Sequence, residues 1–239
     1  MSQTFLTAEW RHLLMANYSI DPAVLKTYVP CHTELDTFNG VHYVSLVGFL
    51  FTNTRVGGIA FPFHRTFEEV NLRFYVRYKE GNRWKRGVVF MKEIVPRRMI
   101  TFVANTLYKE KYATHPMKHV WQREGDNLKV EYYWKVGTEW NYLKAVADQQ
   151  AIPLQPCSEE EFITEHYWGY TLVSDRCTGV YQVDHPQWNI HNVQSFEVKC
   201  STAQLYGQPF AEALSQSPRS IFLAEGSPIA VLKGSRIYT

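Results

Sequence analysis

The sequence predicts a mainly antiparallel β-fold with a few peripheral helices, an α+β class, on three observations. Residues Phe67 to Tyr78 alternate strictly, with Val70, Leu72, Phe74, Val76 and Tyr78 on one side and Glu69, Asn71, Arg73 and Tyr75 on the other. That is the period of a half-buried strand. Turn residues at Asn39-Gly40, Glu80-Gly81-Asn82 and Gly125-Asp126-Asn127 separate apolar runs, which reads as successive hairpins. Helical spacing is confined to short segments, so helices flank a sheet and do not build the core.

In chain order, Glu9, Arg11 and His12 interrupt the apolar stretch of the first sixteen residues, which lack a basic leader region and make a poor signal peptide. Asp21-Pro22 marks a helix start, an Asp N-cap with Pro at the first helical position. The helix carries Val24, Leu25 and Tyr28 inward and ends before Pro30. Thr33 to Phe38 and Val41 to Phe51 flank Asn39-Gly40 as a hairpin, and Val41 to Phe51, apolar on both faces, reads as a central covered strand. Phe67 to Tyr78 turns into a second hairpin strand, Gly87 to Val95. Met99, Ile100, Val103 and Leu107 then give the stripe of a helix opened by Pro96. Val120 to Arg123 and Leu128 to Val136 form a third hairpin.

Trp140, Leu143 and Val146 predict a short helix, and Ser158 with Glu161 is a capping box before Phe162 to His166. Strands near Tyr170–Val173, Gly179–Asp184 and Asn189–Cys200, a short helix near Phe210–Leu214 and a last strand, Pro228–Leu232, complete the chain. No repeat or linker divides the 239 residues, so they read as one domain.

Lys+Arg 25 against Asp+Glu 23 leaves no electrostatic footprint for nucleic acid. No charge-free apolar run approaches the ~20 residues that span a bilayer. Cys31, Cys157, Cys177 and Cys200 lie far apart and read as buried thiols, neither a disulfide framework nor a zinc site. The expected setting is the cytoplasm. Exposed strand edges admit a homodimer.

Several chemical motifs dissolve on inspection. His115 and His119 have the spacing of a helical metal pair, but Pro116 breaks the helix and no carboxylate completes the set, so no metal is expected. Gly57-Gly58 lacks the strand–helix context of a phosphate cradle, and no nucleophile elbow is present. No other cofactor is indicated. His185-Pro186-Gln187-Trp188 implies a bend in a strand-like region, which either aims a side chain into a cavity or lets Trp188 fill the core. Lys109 and Lys111 read as a solvated pair more readily than as an imine-forming pair.

The stretches Trp10–Pro30, Glu34–Phe49, Phe67–Val76, Phe162–Tyr167 and Asp184–Trp188, in that order, resemble the uncharacterised YqjF-like family, domain of unknown function 2071. That family is in turn similar to acetoacetate decarboxylase, a conical antiparallel β-barrel with a deep internal cavity. The resemblance implies that the polar face of Phe67–Tyr78 looks inward. It places Arg11 where that enzyme has its active-site arginine and Phe67-x-Glu69 where it has an aromatic-x-glutamate. The enzyme's second glutamate would map near Val44 or Ser45 and is absent. Tyr112 falls at the position of the imine-forming lysine and Lys111 at the proline before it, so imine-dependent decarboxylation is not expected. Adjacent strand residues face opposite ways, so Lys111 is no simple substitute.

Two functions follow. In the first, an enzyme acts on a small carboxylated or carbonyl compound by dehydration, enolisation or lyase chemistry. Arg11 and Arg73 hold the anion, Glu69 is general acid or base, and Tyr112 donates to an oxyanion; Asn71, His185 and Trp188 complete the site. In the second, a non-catalytic barrel captures an apolar or aromatic metabolite among Trp10, Tyr43, Phe74 and Trp188, while Arg11, Glu69 and Arg73 satisfy one another. A barrel packed solid by its own side chains is the third arrangement open to this fold.

Overall fold

The computed structural model describes residues 3–97, 101 and 111–238. Its strands are β1 (Thr4–Ser19), β2 (Thr33–Leu35), β3 (Tyr43–Val56), β4 (Phe67–Glu80), β5 (Arg83–Val95), β6 (Tyr112–Thr114) and β7 (Met117–Glu124). They continue as β8 (Asn127–Val136), β9 (Glu139–Asp148), β10 (Trp168–Ser174), β11 (Cys177–Asp184), β12 (Ile190–Lys199), β13 (Ser220–Leu232) and β14 (Ser235–Tyr238). The helices are short: α1 (Pro22–Leu25) with a 3-10 turn over Lys26–Tyr28, α2 (Glu159–Thr164), α3 (Thr202–Tyr206) and α4 (Gln208–Leu214). The helix expected from Pro96 onward lies outside the described residues. No described helix is long and apolar enough to cross a membrane.

Seven strands run in the hydrogen-bonded order β11-β10-β5-β4-β3-β1-β13. Pairing of Val183 with Val231 and Asp184 with Ala230 joins β11 to β13 and closes them into a ring. Neighbours within the ring are antiparallel except β10 and β5. Strand β12 leaves β13 at Asn192 and continues into a second sheet, β12-β9-β8-β7.

This layout produces two cores. The outer face of β1, β3 and β4, with Leu14, Ala16, Val44, Leu46, Val70, Leu72 and Phe74, packs against Val130, Tyr132, Trp134 and Leu143 of the second sheet. The inner face, with Leu13, Met15, Val47, Phe49 and Phe67, packs inside the ring against Phe162, Trp188 and Phe222. Strand β4 is therefore buried on both sides: its apolar row enters the inter-sheet core and its polar row enters the ring.

Local chemistry accounts for the elements that match expectation. Asp21 accepts from the Ala23 amide at 2.8 Å, capping α1, and Leu25 is buried with Val24 and Tyr28 packed beside it. Ser158 caps α2 by accepting from the Glu161 amide at 3.1 Å, while Glu161 reaches back to the Cys157 amide and not to that of Ser158. Ser158→Ala is expected to cost about 1 kcal/mol, read as a lower urea midpoint at unchanged slope.

Several expectations are corrected. Asn39 and Gly40 do form a two-residue turn, both at positive φ, but only Phe38 and Val41 bridge across it. Strand β2 pairs with β4 instead, so the first hairpin is one bridge long. The segment with Trp140, Leu143 and Val146 is strand β9, not a helix. Its buried row is Asn141, Leu143, Ala145 and Ala147, and Asn and Ala carry little strand signal. The N-terminal stretch is a sixteen-residue strand at the centre of the ring. Strand β13 starts at Ser220, well before Pro228, and α3 and β14 went unforeseen. Of the four thiols only Cys177 is buried, and Cys157 is exposed.

Candidate functional site

The inward row of β4 meets a cavity of about 290 Å³ inside the ring, at the small end of the ligand-site range of roughly 300–1,000 Å³. The ring is therefore not packed solid. Its aromatic lining comes from Trp10, Phe49, Phe51, Phe67, Phe90 and Trp188, and its polar lining from Glu69, Asn71, Arg73, Glu93, Tyr112, Thr164 and His166.

Register explains how the polar lining assembles. Glu69, Asn71 and Arg73 lie two apart on β4, opposite Phe49, Val47 and Ser45 of β3. Asn71 pairs across with Glu93 of β5, and Glu93 pairs with Tyr112 of β6. Glu69 is 2% exposed; its Oε1 accepts from Asn71 Nδ2 at 2.9 Å and its Oε2 from the Tyr112 hydroxyl at 3.2 Å. Burial pushes its carboxyl up from 4.5 to about 7, against the opposing pull of Asn71, Tyr112 and Arg73. Burial, with Glu69 and Glu93 nearby, holds the Tyr112 phenol well above its ordinary range, so it stays a neutral donor.

Arg73 is different. Its guanidinium stands 5.8 Å over the Tyr75 ring and reaches only the Ile163 carbonyl at 3.5 Å and Met15 Sδ at 3.8 Å. Its Nε is buried without a hydrogen-bond partner among the described residues. Among the described residues no carboxylate lies within ion-pair distance of it.

Arg11 does not join the cavity. Trp10 faces the ring interior, so its neighbour Arg11 faces out, where it is paired with Glu9 at 2.6 Å. A bulge then intervenes: β1 holds one residue more than β3 between Arg11 and Leu14, and His12 takes φ 54° to accommodate it. Gly226, opposite Arg11, matches with φ 80°, and a Cβ there would come within 2.0 Å of the Trp10 carbonyl oxygen. Arg11 and His12 instead line a separate outer groove with Trp121, Arg123 and His191.

The other sequence candidates divide. His185 and Trp188 both line the cavity, stacked at 4.2 Å between centroids, and Trp188 Nε1 donates to Ser227 Oγ at 2.9 Å. Their segment is the connection between β11 and β12, not a bend within a strand. Phe74 faces the inter-sheet core, and Tyr43 donates to Glu159 at 2.8 Å outside the cavity lining. Lys111 lies over the Tyr28 ring, and among the described residues no lysine lines the cavity; Lys109 lies outside them. His115 is bonded to the Lys135 carbonyl and His119 to Glu68, each at 2.7–2.8 Å.

Three polar site residues escaped sequence reasoning, Thr164 and the two that follow. Glu93 enters because β5 bulges at Met91, which with Lys92 faces outward, so the inward row runs Val88, Phe90, Glu93. Strict alternation from Phe90 points Lys92 inward. His166 follows α2 and is fixed by residues distant in sequence. Its Nε2 lies 3.3 Å from Asp36 Oδ2, which also accepts from Arg86 Nε at 2.7 Å. Burial lowers the imidazole to about 4; hydrogen bonds from His166 and Arg86 outweigh burial at Asp36 and hold it at about 2.

Residues 7–228 match the family described as DUF2071, uncharacterized conserved protein. The uncharacterized protein YqjF of Bacillus subtilis (strain 168) is 29% identical over 197 residues, 81% of this chain and 77% of that protein. Acetoacetate decarboxylase from Legionella pneumophila superposes with a TM-score of 0.63 at 12% identity, over 99% of this chain and 88% of that one. The enduracididine biosynthesis enzyme MppR, complexed with pyruvate, superposes with a TM-score of 0.65 at 9% identity, over 99% and 91%. These likenesses show an acetoacetate decarboxylase-like fold.

Proposed function

The chain belongs to the DUF2071 family, and from the geometry of its cavity we propose that it is an enzyme acting on a small carboxylate that also carries a carbonyl, without forming an imine. The observation that carries this reading is Arg73, a cation turned into an enclosed space with no carboxylate partner among the described residues. A partly desolvated charge is retained at a cost unless something pairs with it. A ligand carboxylate meets that need with charge-assisted hydrogen bonds.

The neighbours suit proton transfer. Glu69 changes protonation near neutral pH, where a general acid–base group works best. In its ionised form it takes a proton from the carbon beside the ligand's carbonyl; Tyr112, neutral and already aimed at Glu69, donates to the enolate oxygen that forms. Enolisation is the simplest such step, and dehydration or lyase chemistry would extend it. MppR's structure holds pyruvate and acetoacetate decarboxylase is named for its substrate, both small oxo acids, which supports the same ligand class here. We place the protein in the cytoplasm, where its four thiols, which form no disulfide, stay reduced.

The aromatic lining favours a second reading, a non-catalytic site for an apolar metabolite. Incubating the protein with pyruvate or phenylpyruvate in D2O separates the two. Loss of the C3 proton signal above the buffer rate, abolished in Glu69→Gln, supports the enzyme. Calorimetric binding without exchange supports the binder, and neither heat nor exchange for any oxo acid overturns both.

A further inference from the structure

The outer groove, the exposed apolar loop residues Ile59, Phe61 and Phe63, and the buried histidine of the cavity all lie beyond the groups used above. The histidine carries an inference furthest. We propose that His166 is a ligand-contacting hydrogen-bond acceptor, and that the cavity therefore selects carboxylates with a hydroxyl on the carbon next to the carboxylate: 2-hydroxy acids, and the enol forms of 2-oxo acids. This rests on the reading of Arg73 as the carboxylate anchor.

The argument begins at Asp36. It is 5% exposed, and Arg86 donates to its Oδ2, so it is a carboxylate that can only accept. The His166 nitrogen facing the same oxygen, Nε2, must then carry the hydrogen. Burial among Tyr75, Phe162 and the nearby cations Arg86 and Arg73 keeps the ring neutral. A neutral imidazole with its proton on Nε2 has a bare lone pair on Nδ1.

That lone pair is unsatisfied. The His166 side chain is 1% exposed, its Nδ1 has no hydrogen-bond partner among the described residues, and the residue lines the cavity. A buried acceptor left without a donor is unfavourable, and a ligand O–H removes the defect where a ketone oxygen, with no hydrogen to give, cannot. Arg73, on β4, touches the segment that carries His166 through its contact to the Ile163 carbonyl, three residues before that histidine. Anchor and acceptor line the same cavity, and its aromatic side chains are left for the ligand's tail. For an oxo acid the selection favours the enol over the keto form, the enol oxygen receiving its proton from Tyr112, which regains one from the Glu69 that took the carbon proton. Asp36 and Arg86 act through His166 and are positioning residues.

The test is calorimetric titration with 3-phenyllactate and 3-phenylpropionate, which differ only in the 2-hydroxyl. Wild-type protein is expected to bind the hydroxy acid about tenfold more tightly, the scale of one satisfied neutral hydrogen bond. In His166→Phe the ratio falls to about one while 3-phenylpropionate still binds. In Asp36→Asn the ratio also falls although His166 remains. Should either variant fail to fold, 15N chemical shifts of His166 in wild-type protein decide: a proton on Nε2 supports the assignment, and a proton on Nδ1 overturns it. Equal affinity of wild-type protein for the two acids overturns the His166 inference and leaves the Arg73 reading standing. Binding of neither acid overturns both, whereas Arg73→Met weakening the two acids equally upholds the anchor independently.

Discussion

Arg73→Met is expected to weaken binding of any carboxylate ligand by about a hundredfold and, in the absence of ligand, to raise the melting temperature. The two effects have one cause. The guanidinium is held among Tyr75, Met15 and the Ile163 carbonyl, and among the described residues no carboxylate lies within ion-pair distance of it and its Nε has no hydrogen-bond partner. Hydrogen bonds between ions contribute roughly 1.5–3 kcal/mol each, so losing a two-pronged contact removes about 3 kcal/mol, or about two decades in Kd. In the empty protein the same group is a partly desolvated charge, which a methionine of similar reach relieves. A gain of about 1 kcal/mol is the scale expected of a residue kept for function against stability. Calorimetry and thermal melting on one preparation check both effects. A variant that melts lower and binds as before makes Arg73 a strut between β4 and α2, and the carboxylate reading fails with it.

How far the site was legible depends on where the strands depart from strict alternation. Strand β4 keeps its period from Glu69 to Tyr75, and Glu69, Asn71 and Arg73 stand where alternation puts them. Period two could not say whether that face met water or a cavity; closure of the ring by β11 and β13 decides it, through the distant pairs Val183 with Val231 and Asp184 with Ala230. Where a strand bulges, sequence reasoning inverts. One extra residue at His12 leaves Arg11 outside while returning Leu13 to the inner face, and one at Met91 brings Glu93 in and turns Lys92 out. His166 is set by Asp36, 130 residues away, a separation that no local pattern encodes. Tyr112 was reachable only through family resemblance, because β6 is three residues long and has no period of its own.

Glu69→Gln is expected to become steadily more stable relative to wild type as pH rises from 5 to 8, and to lose proton exchange on oxo acids. The sign follows from the direction of the carboxyl's displacement. Its value in the folded protein, about 7, lies above the ordinary 4.5 of an unfolded chain. Below 4.5 the group is neutral in both states and imposes no charge penalty. Between 4.5 and about 7 the unfolded chain ionises while the folded protein holds its proton, so wild-type stability falls by up to about 1.4 kcal/mol per pH unit. Above 7 the deficit levels off at about 3 kcal/mol. Glutamine does not titrate, and it can still accept from Tyr112 while donating to Asn71 Oδ1, which has no partner among the described residues, once the Asn71 amide turns over to present that oxygen in place of Nδ2. Near pH 5 the two proteins should therefore unfold at similar urea concentrations and separate above it. Ligand affinity of wild type should decline through the same interval, because ionised Glu69 repels the carboxylate that Arg73 attracts. A difference in unfolding free energy that stays flat from pH 5 to 8 would mean that Glu69 is already ionised when folded at pH 5 and is not the acid–base group proposed here.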